Sequence, residues 1–165
     1  MTENAKEKAL EWLDSNGIAY EIMEHKAVFT IEEMDEAGIS AKGGVCKNLF
    51  LRDAKGKRHF LVVAPETKRV DLASVAEQLG STKLSFASPE RLEKYLGVAQ
   101  GSVSPLGVLN DPEHTVTLAF DQDLRTGGPI GVHPNDNTAT VWVAFEELRK
   151  GLSALGNPVT YIKLK

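Results

Sequence analysis

A lysine and an asparagine stand where a glycine-containing loop turns into an apolar run. Segment 43–51 reads Gly-Gly-Val-Cys-Lys-Asn-Leu-Phe-Leu, with Lys47 and Asn48 just ahead of Leu49. A lysine offers an ammonium donor to a phosphate or carbonyl oxygen, and an asparagine can both donate and accept hydrogen bonds. The pattern fits either a binding or catalytic site or a strand-entry loop with solvated polar residues.

Two further segments interrupt apolar regions with residues suited to ligand contact. Gly101-Ser102-Val103-Ser104-Pro105 combines a glycine, which lets the backbone approach a ligand closely, with a proline that stiffens the exit. Gly131-Val132-His133-Pro134-Asn135 places a histidine beside a turn. Each segment alone is also compatible with a structural role, as an ordinary connection and a hydrogen-bonding histidine respectively.

Other common catalytic patterns do not occur. The sequence contains no Gly-x-x-x-x-Gly-Lys-Ser/Thr loop, no Gly-x-Gly-x-x-Gly and no Gly-x-Ser-x-Gly. The four histidines lack metal-ligand spacing, so we expect neither a metal nor a cofactor. The single cysteine, Cys46, could pair with a histidine as a nucleophile, but its apolar context favours a small core residue.

Hydrophobic periodicity and end signals predict the elements that position these segments. Thr30 and Glu33 have the spacing of a capping box, and Ser88-Pro89 is typical of a helix start. We expect helices over residues 2–16, 30–38, 71–79, 88–96 and 145–155, and strands over 18–23, 47–52, 58–64, 114–120, 139–143 and 160–164. The second and third strands form a hairpin, and 97–109 and 127–137 form loops.

Helices and strands alternate irregularly, which predicts one α+β domain over residues 1–165 with a mixed, mainly antiparallel sheet. The N-terminal residues do not resemble a signal peptide, and one cysteine suits a reducing compartment, so we expect a cytoplasmic protein without membrane contact. A net charge of −4 argues against coating of duplex DNA, but it allows a protein that grips only the end of an RNA.

The segments resemble, in order and spacing, the YbaK/ProX family of aminoacyl-tRNA deacylases. The resemblance rests on Tyr20, His25 and Thr30, on 46–51, on Gly101 with Pro105, and on 131–135, and it spans nearly the whole chain. Within that family the chain is most similar to the free-standing bacterial proteins related to the insertion domain of prolyl-tRNA synthetase. The family implies a barrel-like, largely antiparallel sheet flanked by helices, and removal of alanine from proline tRNA.

The resemblance also implies residue roles. Lys47 matches an essential lysine that contacts the terminal phosphate or the aminoacyl carbonyl, and Asn48 orients the substrate. Gly101 belongs to a loop whose amides surround the ester, and His133 is a positioning or hydrogen-bonding group. The implied substrate-binding residues are Tyr20, His25, Thr30, Leu49, Ser102, Val103, Ser104 and Pro105.

An aminoacyl ester is already activated, so its hydrolysis needs a positioned water and a stabilised oxyanion rather than a covalent nucleophile. Two alternatives remain: a non-catalytic module that binds aminoacyl-tRNA or an amino acid, and a deacylase for Cys-, Ser- or Thr-charged tRNA. The expected partner is the acceptor end of proline tRNA, with prolyl-tRNA synthetase as a further candidate. Candidate phosphate contacts are Lys42, Lys47, Arg52, Lys68, Arg69 and Arg125.

Overall fold

Helices and strands build two sheets around a shared core. The computed structural model describes residues 5–27, 31–36, 38, 44–126 and 128–164. The helices are α1 (Ala5–Ser15), α2 (Ile31–Glu36), α3 (Leu72–Leu79), α4 (Pro89–Leu96) and α5 (Phe145–Leu155). The strands are β1 (Tyr20–Glu24), β2 (Cys46–Arg52), β3 (His59–Pro65), β4 (Ser85–Phe86), β5 (Val116–Asp121), β6 (Ile130–Val132), β7 (Ala139–Val143) and β8 (Val159–Ile162).

The predicted helix ends on α3 and α4 are confirmed. The Asp71 side chain accepts from the backbone N–H of Ala73, and Ser88 caps α4 in the same way. Gly80 and Gly97 end the two helices in the left-handed conformation that glycine adopts without strain. The predicted capping box at Thr30 lies outside the described residues.

The larger sheet has the order β4-β2-β3-β5-β8, and the smaller one has the order β1-β7-β6. The predicted hairpin is the antiparallel pair β2-β3, whereas β3-β5 and β5-β8 are parallel. The predicted last strand forms as the edge strand β8. The α+β prediction is therefore confirmed, with more parallel pairing than the sequence indicated.

The two sheets meet at one point. Val45 forms an isolated parallel bridge with Gly131, and the N–H of Gly131 donates to the carbonyl of Gly44 at 2.8 Å. The described strands do not close further into a barrel, so the barrel-like expectation holds only for this junction. The junction brings the start of β2 beside β6, which places residues 44–51 next to 131–135.

β3 is apolar on both faces because both faces are covered. Leu61 and Val63 face the main core, which lies between the sheets and is closed by α1, α4 and α5. Phe60 and Val62 face a second core under α3. No helix in the described part of the chain is long and apolar enough to cross a bilayer.

Four short elements of the described chain were not predicted. Ser85–Phe86 forms β4 by pairing with the end of β2. Pro105–Asn110 and Gln122–Arg125 form 3-10 helices within or beside expected loops. Residues 130–132 form β6 although glycine and proline surround them, because pairing with β7 satisfies their backbone groups. Tertiary pairing here overrides the local turn signals.

Candidate active site

A cavity of about 440 Å³ opens along the free edge of β2, where β4 pairs only with its last residues. β6 and β7 form one wall, α4 and the loop before Pro105 another. Its size falls within the range of small-molecule sites in proteins. The lining residues are Val45, Cys46, Lys47, Asn48, Leu49, Phe50, Glu66, Phe86, Ala87, Pro89, Leu92, Gln100, Gly101, Val103, Gly131, Val132, His133 and Thr140.

Lys47 supplies the cavity's positive charge. It is half-buried on β2, and no hydrogen-bond or ion-pair partner for its ammonium group occurs among the described residues. Burial lowers the pKa of Lys47, because removal from water disfavours the charged form. An unpaired ammonium in a partly dry cavity is suited to bind a substrate oxygen.

Two acceptors lie in the same cavity. The Oδ1 atom of Asn48 and the Oε2 atom of Glu66 are buried and have no hydrogen-bond partner within the described residues. The backbone N–H of Glu66 donates to the carbonyl of Val45 at 3.0 Å, which holds the glutamate opposite the start of β2. The cavity is therefore lined by a lysine donor and by two side chains that carry acceptor oxygens.

His133 presents an acceptor nitrogen. Its Nδ1 lies 2.9 Å from the carbonyl oxygen of Ala139, and because a carbonyl only accepts, Nδ1 carries the proton. Nε2 of the neutral ring is then free to accept from a water or a ligand. Burial is the main cause that lowers the pKa of His133, and the nearby His25 lowers it further, so the ring is neutral at pH 7.

His25 lies behind the wall. Its Nδ1 donates to the carbonyl of Lys26 at 2.7 Å, so its Nε2 accepts from the Thr140 hydroxyl at 2.9 Å. The His25 and His133 rings lie 6.2 Å apart. His25 thus supports Thr140 and His133, both of which line the cavity, and it does not itself line it.

The loop before Pro105 contributes fewer groups than the sequence predicts. Gly101 and Val103 line the cavity. The N–H of Ser102 already donates to the carbonyl of Ala99 at 3.0 Å, so it cannot serve the ester. Ser104 is fully buried and caps the following 3-10 helix by accepting from the N–H of Leu106.

Pro105 is also buried within that 3-10 helix. The Asn135 side chain donates to the carbonyl of Leu106 at 3.1 Å, which ties this loop to the His133 loop. Ser102, Ser104 and Pro105 were predicted to bind substrate. None of the three is among the residues that line the cavity, and the hydrogen bonds of Ser102 and Ser104 lie within their own loop.

Tyr20, which the resemblance implies to be a substrate-binding residue, lies away from the cavity. Burial, and then the nearby Asp14 carboxylate, raise the pKa of the Tyr20 hydroxyl. Of the expected apolar run, Leu49 and Phe50 line the cavity, whereas Leu51 is buried in the second core. Thr30 lies outside the described residues.

Several predicted phosphate contacts are engaged elsewhere. Lys68 pairs with buried Asp121 at 2.8 Å and also with Asp123, so it holds the fold together. The Arg52 guanidinium donates to the backbone of its own hairpin turn. Arg125 covers the ring of Tyr161, with 4.9 Å from its guanidinium carbon to the ring centroid.

Of the other candidate cations, Lys47 lines the cavity, Arg69 is exposed, and Lys42 lies outside the described residues. Cys46 also lines the cavity, but burial raises the pKa of its thiol to about 12, with a further contribution from the negative charge of Glu66. A thiol with that pKa is protonated at neutral pH and is a poor nucleophile, as the apolar context predicted.

Sequence reasoning missed Glu66, Thr140 and Phe86. Glu66 follows Pro65 at a strand end and looks like an ordinary turn residue, and Thr140 lies in a β-branched strand. Phe86 is 62% exposed at the cavity and follows from no periodic pattern. The junction between the sheets brings these residues to the site, and local sequence does not encode it.

The arrangement can bind an ester. Lys47 can donate to a developing oxyanion, the Gly101–Val103 backbone can approach it closely, and His133 can accept a hydrogen bond from a water. Within the described residues no cluster of His, Cys, Asp or Glu is arranged to hold a metal ion. Lys47, the Gly101–Val103 backbone and His133 suit the attack of a water on an activated carbonyl.

Comparison with known proteins gives consistent matches. The profile of the family described as "Aminoacyl-tRNA editing domain" matches residues 25–150. The prolyl-tRNA editing protein ProX of Acetoanaerobium sticklandii is 47% identical over 164 residues, which cover 99% of this chain and 100% of the relative. Prolyl-tRNA synthetase associated domain-containing protein 1 of Danio rerio is 37% identical over 144 residues, covering 86% of this chain and 78% of the relative.

Solved structures share the fold. One, described as a candidate trans-editing enzyme for prolyl tRNA synthetase, superposes with a TM-score of 0.72 and covers 98% of this chain and 96% of that chain. At 23% sequence identity this likeness supports the architecture alone.

Proposed function

Because the chain belongs to the aminoacyl-tRNA editing domain family, we propose that it hydrolyses the ester bond of mischarged proline tRNA in trans, with alanine as the amino acid removed. The observation that carries the proposal is that the Lys47 ammonium, which has no partner among the described residues, lines one cavity with Gly101 and His133. The 47% identity to a protein named for prolyl-tRNA editing supports proline tRNA as the substrate class. Alanine follows from the subfamily that the sequence resembles.

In the proposed reaction a water oxygen bonds to the aminoacyl carbonyl carbon, and the bond to the ribose oxygen then breaks. Lys47 donates to the carbonyl oxygen as negative charge develops there, and the backbone at Gly101 and Val103 lies beside it. Nε2 of His133 accepts a hydrogen bond from the water and positions it. The proton that the attacking water loses passes to the leaving ribose oxygen, and the products are free amino acid and tRNA.

The free hydroxyl of the terminal ribose helps to activate the water in this mechanism. A tRNA whose terminal ribose lacks that hydroxyl should be cleaved far more slowly than the normal substrate. Equal cleavage of the two would show that the protein alone activates the water.

Selectivity against proline comes from the apolar wall of the cavity. The wall includes the branched side chains of Val45, Leu92, Val103 and Val132. These side chains restrict the space for the bulky proline ring more than the space for the methyl group of alanine. Extra methylenes bound in a roomy pocket give only about 1–3 kcal/mol of discrimination, so a rigid wall is the more effective device. A panel of tRNAs charged with Ala, Cys, Ser, Thr and Pro identifies the amino acid removed.

The acceptor end of the tRNA reaches this cavity. Phe86, at its mouth, offers an aromatic face on which the terminal adenine can stack. The name of the Danio rerio relative refers to prolyl-tRNA synthetase, which supports that synthetase as a partner. We place the reaction in the cytoplasm.

Alanine release from Ala-tRNA(Pro) by wild type and Lys47→Ala tests the proposal. Wild type should release alanine well above the spontaneous rate, and Lys47→Ala should be slower by about 100-fold or more, as for loss of an oxyanion donor. Binding of the tRNA without release by wild type would instead identify a binding module. Lys57→Ala, at an exposed position in the hairpin turn, is the matched control.

A further inference from the structure

The two unpartnered acceptors in the cavity, Asn48 Oδ1 and Glu66 Oε2, need a donor. A buried acceptor without a hydrogen bond costs about 1–3 kcal/mol, and more if it is charged. The side chains of Asn48 and Glu66 line the cavity, and neither oxygen atom has a hydrogen-bond partner among the described residues. A ligand that donates hydrogen bonds at this place would remove that cost.

Both acceptors are held on rigid structure. Asn48 lies on β2, and the backbone bond from Glu66 to Val45 fixes the glutamate where β3 ends. No ion pair joins Glu66 to Lys47 among the described residues, so each charge is available to a ligand. The wall of the cavity otherwise presents mostly apolar side chains, which strengthens the interaction of a charge with a partner.

An aminoacyl ester has one group that matches these acceptors. Its carbonyl and ester oxygens only accept hydrogen bonds, whereas its α-ammonium group carries a positive charge and three N–H donors. Resting on the proposed function, we propose that Glu66, together with Asn48, binds the α-ammonium group of the aminoacyl ester. With the ammonium at Glu66 and the carbonyl oxygen at Lys47, the ester has one orientation in the cavity.

The test compares substrates that differ only at the α position. Ala-tRNA(Pro) carries the ammonium group, and lactyl-tRNA(Pro) carries a hydroxyl in its place. Glu66→Gln keeps the size of the side chain and removes its charge. A hydrogen bond to a charged group is worth about 1.5–3 kcal/mol, so Glu66→Gln should lower kcat/KM for the alanyl substrate about 10- to 100-fold. The lactyl substrate has no positive charge at that position, so its rate should fall less than the rate of the alanyl substrate.

The matched control is Glu77→Gln, which removes the same charge at an exposed position on α3 and should change neither rate. Equal loss of both substrates in Glu66→Gln would overturn the proposal, since Glu66 would then act on the chemistry or the fold. Unchanged rates for both substrates would overturn it as well.

A binding measurement separates this inference from the proposed function. Adenosine carrying a non-hydrolysable 3′-alanylamide should bind wild type more tightly than the 3′-lactylamide, and Glu66→Gln should lose that preference. If wild type shows the preference but cleaves neither tRNA, the deacylase function fails and the ammonium site stands. If wild type cleaves Ala-tRNA(Pro) but binds both amides equally, the ammonium site fails and the deacylase stands.

Discussion

The Nδ1–H of His133 donates to the backbone carbonyl of Ala139 at 2.9 Å, which fixes the ring and leaves Nε2 as the acceptor in the cavity. The neutral ring is the active form in the proposed reaction, and burial holds the pKa of His133 below its ordinary value of 6.5. The rate should therefore be level near pH 7 and fall as the pH drops through that lowered pKa, where Nε2 gains a proton. kcat/KM measured against pH checks this direction.

Two substitutions distinguish the role of Nδ1 of His133 from the role of Nε2. His133→Asn keeps a donor at the Nδ1 position but has nothing at Nε2, so we expect unchanged folding and a rate lower by about 100-fold. His133→Gln places an amide near Nε2 and should retain more activity without the acid-side fall. A wild-type rate for His133→Asn at pH 7 would leave His133 with a structural role only.

Cys46 lies on the cavity wall but takes no part in the proposed chemistry. Since burial raises the pKa of its thiol to about 12, the wild-type enzyme should resist inactivation by iodoacetamide at pH 7. Cys46→Ala should keep its rate within about 2-fold and lose about 1 kcal/mol of unfolding free energy from reduced packing. A Cys46→Ala protein that folds but has no activity would instead support Cys46 as a catalytic nucleophile.

Local signals predicted the elements well, because each has a local physical cause. Asp71 and Ser88 cap their helices through their own backbone neighbours, and the hairpin of β2 and β3 follows from two apolar runs around a glycine turn. The parallel pairing of β3 with β5 joins residues far apart in sequence, and periodicity carries no information about it.

The same distinction between local and long-range causes applies to the residues of the candidate site. Lys47, Asn48, Gly101 and His133 lie in segments that residue types singled out, the family resemblance gave their roles, and they share one cavity. Glu66 was missed because its role depends on which strand edge it faces. Ser104 looked like a ligand contact, yet its hydroxyl serves the backbone of the next turn. A polar residue in a loop gives the same sequence signal whether it contacts a ligand or hydrogen-bonds to the backbone of its own loop.

Gly44 closes the junction between the sheets, where a side chain would not fit. A Cβ atom there would lie 2.4 Å from the carbonyl oxygen of Pro129, and the φ angle is +72°. Gly17 has a similar φ of +67° with nothing within 4 Å of a Cβ. Both alanine variants carry about 1 kcal/mol of backbone strain, but only Gly44→Ala adds a clash.

Gly44→Ala should therefore lower the free energy of unfolding by about 2 kcal/mol more than Gly17→Ala does. It should also reduce deacylation at temperatures where both variants are folded, since β6 carries the chain into His133. Urea unfolding and the alanine-release assay measure the two effects. Equal stability and activity of the two variants would mean that the backbone at the junction can shift to make room for the added methyl group.

His59 makes stability depend on pH. Arg91 donates to both the carbonyl of Gly56 and Nε2 of His59, which anchors α4 to the hairpin beside the cavity. Burial, and then the charge of Arg91, lower the pKa of His59 from 6.5 to about 4. The unfolded chain then binds a proton that the folded chain does not, so stability is complete above pH 6.5 and declines as the pH falls towards 4.

The loss should approach about 3 kcal/mol at the acid end of that window. His59→Gln keeps an acceptor for Arg91 but cannot be protonated, so its stability should vary less over the same range. Urea unfolding of both proteins at pH 7, 6 and 5 measures the difference. Parallel curves for wild type and His59→Gln would show that other groups cause the pH dependence.

Phe86 should act on substrate binding and not on the chemical step. Its ring is 62% exposed at the cavity, and stacking of a base on an aromatic side chain is worth about 1–3 kcal/mol. Phe86→Ala should raise KM about 10-fold with kcat nearly unchanged, and Phe86→Trp should restore the wild-type KM. Ile22, 42% exposed on β1, is the matched control, since Ile22→Ala removes a comparable exposed side chain away from the cavity. An equal rise of KM in both alanine variants would place the effect outside the stacking contact.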